Sequence, residues 1–214
     1  DRKPDAWGES FCHTVNGLPI FAMGADYIPE DSILSRRSPD RTRRLLEDAR
    51  LAHFNTIRVW GGGFYPDDFF YDLCDELGLL VWQDFMFACA MYPGNQEFLD
   101  NVRQEAIDNV IRIRNHPSIA LWSGNNENAL AWRHGAPGGW GWKNAFTKEE
   151  QDTVFKAYYT VFHEILPQVV KDYTDGDDYW PSSPMAGPEP DQHGLDGTTS
   201  GDQHYWGVWH GFRP

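Results

Sequence analysis

Short runs of apolar and β-branched residues alternate with segments in which apolar residues recur at helical spacing. The runs predict six strands, at residues 20–27, 55–60, 79–87, 118–123, 179–183 and 203–208. Between them, apolar residues three and four positions apart predict helices, and the longest covers residues 96–114. Capping signals mark two helix starts: Ser38 with Pro39, and Thr147 with Glu150.

Strands and helices that alternate in this way indicate an α/β fold with a parallel sheet. Polar and aromatic residues concentrate just after the strands, which is where a (β/α)8 TIM barrel carries its active site. The pattern therefore predicts a TIM barrel, truncated after about six of its eight βα units. A dinucleotide-binding fold is not supported, because no GxGxxG follows the first strand.

Composition narrows the class of partner. The net charge of −14 disfavours nucleic acid and anionic membrane surfaces, and it is compatible with a neutral substrate. No apolar run approaches the roughly 18 residues of a membrane span. Aromatic residues make up 15% of the chain, and several stand in polar, Gly-rich stretches, where rings commonly form sugar-binding surfaces. The three cysteines predict buried thiols, and the cellular compartment stays open.

The segment 114–128, RNHPSIALWSGNNEN, carries the sharpest chemical signal. A buried strand delivers Asn126 and Glu127 to its carboxyl end. Glycoside hydrolysis requires a protonated carboxylic acid near the leaving oxygen and gains from a hydrogen bond to the sugar 2-hydroxyl. We expect apolar neighbours such as Trp122 to keep the pKa of Glu127 high enough to hold a proton. The alternative is a solvated glutamate in a polar turn.

This segment resembles the fourth strand of the glycoside hydrolase clan whose two catalytic glutamates follow strands four and seven. Within that clan, WSGNNEN is similar to family 2 β-mannosidases rather than to β-galactosidases or β-glucuronidases. Three further stretches extend the resemblance to nearly the whole chain: VNGLPIFAMGADYIPEDS, NTIRVWGGGFYPDDFFYDLCDELGLLVWQDFMFACAMYP and GDQHYWGVWHG. The resemblance implies a retaining mechanism and a β-mannoside oligosaccharide substrate, from which terminal β-D-mannose is removed.

The resemblance also implies roles for four residues. Glu127 is expected to be the acid/base, and Asn126 is expected to contact the 2-hydroxyl. Arg58 is expected to steady the nucleophile, and Trp60 is expected to form a wall of the −1 sugar subsite. For Arg58 a structural ion pair inside the barrel is the alternative, and the two roles are compatible.

Five other candidates for substrate binding have open roles. Asp26 and Asp84 follow the first and third strands, and each either binds a sugar hydroxyl or supports neighbouring side chains. His204 either bonds to sugar or orients a carboxylate. Trp206 and Trp209 are sugar platforms or core residues, and we expect at least one to be a platform because GDQHYWGVWHG is too polar to be all core.

Neither a metal nor an organic cofactor is predicted. Histidines and aspartates do cluster loosely near the end of the chain, but neither HExxH nor HxH occurs. The residues concerned are His193, His204, His210, Asp191, Asp196 and Asp202.

A retaining mechanism needs a second carboxylate about 5–5.5 Å from the first, and the resemblance implies a glutamate after strand seven. The chain ends at Pro214, and its last glutamate, Glu189, precedes the sixth predicted strand. No nucleophile is therefore assigned, since Asp84 and Asp202 fit the clan poorly.

Residues 1–214 are interpreted as one catalytic barrel domain, incomplete at its C-terminal end, without the flanking β-sandwich domains and other remaining domains of a longer parent polypeptide. Alone, it is expected to be unstable and inactive.

Two alternatives remain. Another family 2 specificity, exo-β-glucosaminidase or endo-β-mannosidase, would depend on the Trp-rich loop that is predicted to follow Glu127. A catalytically dead, carbohydrate-binding barrel would bind sugar without turnover, although the intact Asn126, Glu127 and Arg58 argue against it.

Overall fold

The computed structural model describes residues 2–133, 140–187 and 199–212. In chain order its strands are β1 (His13–Val15), β2 (Leu18–Ile20), β3 (Gly24–Tyr27), β4 (Thr56–Val59), β5 (Leu80–Asp84), β6 (Ile119–Ser123) and β7 (Tyr179–Trp180). Its α-helices are α1 (Pro39–Leu51), α2 (Asp68–Leu77), α3 (Gln96–Ile113), α4 (Asn128–Trp132), α5 (Lys148–Tyr159) and α6 (Leu166–Tyr173). A π-helical segment, Thr160–Ile165, joins α5 to α6.

The strands β3 to β7 form one parallel five-stranded sheet in sequential order. At least one helix lies between each consecutive pair of these strands. Sequential parallel strands with helical crossovers are the arrangement of a TIM barrel, so the predicted fold class is confirmed. The strands β1 and β2 form a separate antiparallel hairpin, whereas the sequence had predicted a single first strand across residues 20–27.

The sixth predicted strand, at residues 203–208, is wrong. Residues 203–206 are irregular and residues 207–210 form a turn. The segment is attached by an isolated antiparallel bridge between Met185 and Asp202 and by the side chain of Asp202. That carboxylate accepts hydrogen bonds from the indole of Trp180 (2.8 Å), the amide of Met185 (2.9 Å) and the hydroxyl of Ser183.

The helix ends follow the capping signals. The hydroxyl of Ser38 accepts from the amide of Arg41 (3.3 Å) at the start of α1, and Thr147 forms a complete capping box at the start of α5. Gly78 ends α2 in the left-handed conformation, with φ of 69°, which glycine adopts without steric cost. The predicted loop after Glu127 is partly helical, since it contains α4 and a short 3-10 turn at Trp142–Ala145.

The two faces of the parallel sheet carry different chemistry. Side chains such as Val81 and Trp122 face the helices and belong to the main apolar core. On the opposite face, Trp82 packs with a smaller apolar cluster around Leu121 and Trp180. Because side chains alternate along a strand, the polar residues of the inner face lie between these aromatic rings.

The three cysteines are free, and only Cys74 is buried, so the prediction of buried thiols is wrong for Cys12 and Cys89. Both lie at intermediate burial in irregular segments outside the strands. No helix in the described part of the chain combines the length and the apolar character that crossing a membrane requires.

Candidate active site

The carboxyl ends of β4, β5 and β6 bring Arg58, Asp84 and Glu127 into one cluster. The segment that follows β7 adds Ser183, and the segment 199–212 adds His204. The cluster therefore assembles residues that lie up to 146 positions apart in the sequence.

Glu127 stands in a turn that the neighbouring strand ends hold on both sides. Its amide donates to the carbonyl of Ser183 (2.7 Å), and the amide of Asn126 donates to the carbonyl of Phe87 (2.9 Å). Glu127 caps α4 in the left-handed conformation, with φ of 63°. For a residue other than glycine this conformation costs roughly 1–2 kcal/mol, and strain of this kind clusters at functional sites.

The carboxylate of Glu127 is 6% exposed and has donors at both oxygens. Nδ1 of His204 donates to Oε1 (2.7 Å), and the thiol of Cys89 lies 3.7 Å from Oε2. Burial by itself would raise the pKa of Glu127, but the hydrogen bond and charge of His204, together with hydrogen bonds from Trp206 and Cys89, lower it overall. The arrangement favours the carboxylate over the acid.

The expectation that Trp122 would hold the pKa of Glu127 high is wrong. Trp122 faces the helices, where its ring centroid lies 5.6 Å from that of Phe85 and its indole donates to Asp177 (2.9 Å). Since neighbours along a strand point to opposite faces, the tryptophan lies on the far side of the sheet from the site.

Arg58 and Asp84 form a buried ion pair. Nη2 of Arg58 lies 2.8 Å from Oδ2 of Asp84, and Nε lies 3.3 Å from Oδ1. Asp84 is fully buried and also accepts from the amide of Gly61 (3.0 Å) and the indole of Trp82 (3.0 Å). Burial raises the pKa of the Asp84 carboxyl, and Arg58 acts against that shift. With both oxygens occupied, the geometry favours a supporting role for Asp84 over direct sugar binding.

Arg58 also contacts two neighbouring side chains, Asn126 and His204. It donates to Oδ1 of Asn126 (3.0 Å), so the NH2 group of that amide points the other way. Nη1 lies 3.2 Å from Nε2 of His204. Because an ionised carboxylate can only accept, the contact of Nδ1 with Oε1 of Glu127 (2.7 Å) assigns a proton to Nδ1 of His204.

Trp60 follows β4, and the two glycines after it lie in close contact with neighbouring atoms. A Cβ on Gly62 would lie 2.0 Å from the Trp60 ring, so the indole lies directly against the backbone there. A Cβ on Gly61 would lie 2.5 Å from the carbonyl oxygen of Phe87. These contacts explain why glycines follow Trp60, and the contact at Gly62 fixes the position of the Trp60 ring.

The remaining predicted residues lie at the margin of the cluster. Asp26 has a half-exposed carboxylate 3.7 Å from Nη1 of Arg58. Trp206 is 52% exposed and contributes a hydrogen bond to Glu127. Trp209 is 79% exposed. Both rings are therefore accessible, unlike core residues.

Two residues of the cluster, Ser183 and Cys89, have no assigned role in the sequence analysis. Ser183 bonds to Asp202 and lies 2.9 Å from Nε2 of His204. Cys89 contacts both Asn126 and Glu127. Neither serine nor cysteine stands in a recognisable motif here, so only the folded arrangement identifies them.

One group in the described residues has side-chain oxygens and nitrogens close enough for a metal ion: Asp72, Asp75 and His116. It lies before β6, at the opposite end of the sheet from Glu127. Asp75 is already bonded to His116 (2.7 Å) and to the amide of Ser118 (3.0 Å), which accounts for the cluster structurally. Four residues considered in the sequence analysis fall outside the described residues: Glu189, Asp191, His193 and Asp196.

The fourth strand of the parallel sheet is followed by a buried glutamate, with an asparagine beside it and an inward-facing arginine close by. Residues 37–138 match the model for glycosyl hydrolases family 2, TIM barrel domain.

The chain is similar to several β-mannosidases. The chain is 41% identical to beta-mannosidase B of Aspergillus fumigatus, over 98% of the chain and 24% of the relative. It is 51% identical to the Capra hircus beta-mannosidase over 61% of the chain and 15% of the relative. The crystal structure of the beta-D-mannosidase from Dictyoglomus thermophilum superposes with a TM-score of 0.83 at 43% identity, over 99% of the chain and 24% of that protein. The chain thus spans about a quarter of the length of these two fuller matches.

Proposed function

We propose that this chain is the catalytic-barrel portion of a retaining exo-acting β-mannosidase, which removes terminal β-D-mannose from oligosaccharides or glycoconjugates. The observation that carries the proposal is the position of Glu127. It is a buried carboxylate in a strained turn after the fourth parallel strand, with His204, Asn126 and Arg58 around it. The similarity to β-mannosidases of fungi, goat and a thermophilic bacterium selects mannose as the sugar.

Glu127 acts first as an acid and then as a base. It gives its proton to the glycosidic oxygen while the bond from that oxygen to C1 breaks and the nucleophile bonds to C1. In the second step it removes a proton from the water that attacks C1, which releases mannose with retained configuration. The nucleophile is proposed to lie outside this chain, because Asp84 and Asp202 are occupied in hydrogen bonds and Asp26 lies at the margin of the cluster beside Arg58.

Glu127 must carry a proton to act as an acid, yet its neighbours in this chain lower its pKa. A second carboxylate about 5–5.5 Å away would raise that pKa by like-charge repulsion. When the nucleophile forms its bond to C1, its negative charge is neutralised and this repulsion is lost. The pKa of Glu127 then falls, and the ionised carboxylate can accept a proton from water in the second step. His204 is proposed to hold one oxygen of Glu127 in both steps.

Asn126 is proposed to contact the sugar 2-hydroxyl. Arg58 takes the carbonyl end of its amide, so the NH2 group remains for a partner on the other side. Arg58 is a permanent cation: burial alone would lower its pKa, but the charge of Asp84 raises it above the ordinary value. One guanidinium thus supports Asn126 and offers positive charge to the nucleophile.

The sugar-binding surface is proposed to include Trp60, Trp206 and Trp209, with Asp26 as a hydroxyl partner. The three rings offer apolar faces for the C–H groups of a pyranose. Asp26 is half-exposed beside Arg58, so one oxygen is free to accept from a sugar hydroxyl. Asp84 is assigned to the support of Arg58.

Residues 1–214 are proposed to be one barrel domain that packs against the remaining domains of its parent polypeptide. Several apolar side chains near the edge strand β3 are exposed, among them Phe21 at 81% and Met23 at 46%. An uncovered parallel edge with apolar flanks is unfavourable in water, and the similar proteins are about four times longer than the chain, which covers 24% of them.

Turnover by the full-length polypeptide that carries this chain tests the proposal. The substrates are 4-nitrophenyl glycosides of β-D-mannose, β-D-glucosamine and β-D-galactose, with β-mannobiose and a longer mannoside as natural-type substrates. We expect release from the mannoside, with cleavage of the longer substrate from the non-reducing end. A preference for glucosaminide, or internal cleavage, would favour another family 2 specificity, and sugar binding without any turnover would refute the enzymatic proposal.

A further inference from the structure

Cys89 lies in the irregular segment after β5, pressed against the turn that carries Glu127. Its amide donates to the carbonyl of Asn126 (2.9 Å), and the preceding residue, Ala88, forms a parallel bridge with Asn126. Cys89 has φ of 47°, in the left-handed region. Two strained residues, Cys89 and Glu127, therefore face each other across the site, which indicates that surrounding contacts fix both.

The thiol of Cys89 stands between the two proposed functional side chains. Nδ2 of Asn126 lies 3.4 Å from Sγ and can only donate, so the sulfur accepts there. The sulfur lies 3.7 Å from Oε2 of Glu127, to which its S–H can donate. Hydrogen bonds thus run in one direction from Arg58 through Asn126 and Cys89 to Glu127.

The two oxygens of Glu127 consequently have different donors. Oε1 receives the strong bond from His204, and Oε2 receives the weak bond from the thiol. A proton that Glu127 carries for transfer is better placed on the oxygen with the weaker donor, because the hydrogen bond that it displaces is smaller. This argument assigns Oε2, beside Cys89, as the oxygen that holds the transferable proton.

We propose that Cys89 is a positioning residue, which aims Oε2 of Glu127 at the leaving-group oxygen and holds the amide of Asn126 in its working orientation. The inference rests on the proposed glycosidase function. Its role is that of a neutral partner, because burial and the charge of Glu127 raise the pKa of the Cys89 thiol and keep it protonated. The other charged groups around the pair are His204, Arg58, Asp84, Asp26 and Asp202.

The test compares Cys89→Ala and Cys89→Ser in the full-length polypeptide, with Cys12→Ala as a control that removes a thiol elsewhere. Each protein is assayed with β-mannobiose, whose leaving group needs protonation, and with 2,4-dinitrophenyl β-D-mannoside, whose leaving group does not. Positioned proton transfer contributes roughly 10²–10⁴-fold, so partial misplacement in Cys89→Ala should lower kcat/KM on mannobiose about tenfold. The activated substrate should change by no more than about twofold.

Two further readouts separate positioning from a structural role. Cys89→Ser retains a donor and should recover most of the mannobiose activity. In Cys89→Ala, loss of a hydrogen bond to the carboxylate should move the basic limb of the kcat/KM profile to higher pH, because that limb reports the pKa of the acid.

Equal losses on both substrates, or no loss on either, would overturn the inference while the glycosidase function stands. Absence of turnover in the unaltered full-length protein would overturn the proposed function and the inference together. Retained activity in Cys12→Ala is expected, and a matching leaving-group effect in that variant would also count against a role specific to Cys89.

Discussion

The buried ion pair of Arg58 with Asp84 should be the most sensitive point of the barrel to a change of a single charge. In Asp84→Asn the shape is nearly kept, but a fully buried carboxylate with four donors becomes an amide. The new NH2 group must face donors that it cannot satisfy. Among the described residues, Arg58, with a side chain only 12% exposed, then has an ion-pair partner only in the half-exposed Asp26 at 3.7 Å.

Breaking a buried pair from one side costs about 3–5 kcal/mol, because the other charge stays buried without its partner. Asp26→Asn is the matched control, since a half-exposed carboxylate at 3.7 Å should contribute less than about 1 kcal/mol. Urea unfolding of the full-length protein, followed by tryptophan fluorescence, measures the shift in midpoint of the barrel transition. The midpoint converts to free energy through the slope of that transition.

A double-mutant cycle with Arg58→Met sharpens this test. In the absence of Arg58, Asp84→Asn no longer leaves a buried cation without a partner. The two changes together should therefore lower the free energy of unfolding by less than the sum of the single changes, with a difference of at least about 2 kcal/mol. A cost for Asp84→Asn that equals the cost for Asp26→Asn, or strictly additive effects in the cycle, would refute the conclusion that this pair organises the inner face.

Three further predictions follow from individual contacts. Gly61→Ala would place a Cβ 2.5 Å from the carbonyl oxygen of Phe87, and we expect the variant to lose at least about 2 kcal/mol of stability and most of its activity. Gly63→Ala is the control, because the nearest atom to its Cβ would lie at 3.3 Å, and its effect should be smaller. Equal effects of the two changes would contradict the steric argument. Burial lowers the pKa of His163 from 6.5 to about 4, so the contribution of the neutral imidazole to stability is complete above pH 6.5, and about 3 kcal/mol of stability is lost as the pH falls through 4. His163→Phe should make the unfolding midpoint depend less on pH over this range, and an unchanged pH dependence would count against the argument. Thr147→Ala removes the capping box of α5 and should cost about 1 kcal/mol in thermal unfolding, whereas no change would mean that the cap is dispensable.

Much of the fold can be predicted from the sequence because the periodic signal is strong in its buried elements. The strands β4 and β6 and the helix α3 lie within about two residues of their predicted bounds, since short apolar and β-branched runs define the strands and apolar periodicity defines the helix. Residues 203–208 are different, because they contain aromatic and polar residues without a partner strand. Their placement depends on tertiary bonds from Asp202, which no local pattern reveals.

The candidate site could be predicted only in part. Glu127 and Asn126 follow a well-marked strand, so their position at its carboxyl end was accessible from the pattern. The pKa environment was not, because the direction in which Trp122 points depends on register and the contact with His204 spans 77 positions. The thiol of Cys89 was equally hidden, since its role depends on a positive φ and on two contacts across a neighbouring strand end.

The central claim is that Glu127 is the acid/base of a retaining β-mannosidase. The most direct test is to assay Glu127→Ala in the full-length polypeptide with 2,4-dinitrophenyl β-D-mannoside, with and without azide. Loss of the acid/base should lower kcat/KM on β-mannobiose by about 10²–10⁴-fold. On the activated substrate, azide should restore turnover by attacking the glycosyl-enzyme, and the product should be β-D-mannosyl azide with retained configuration. Full activity on mannobiose in the variant, or an α-configured azide product, would contradict the assignment.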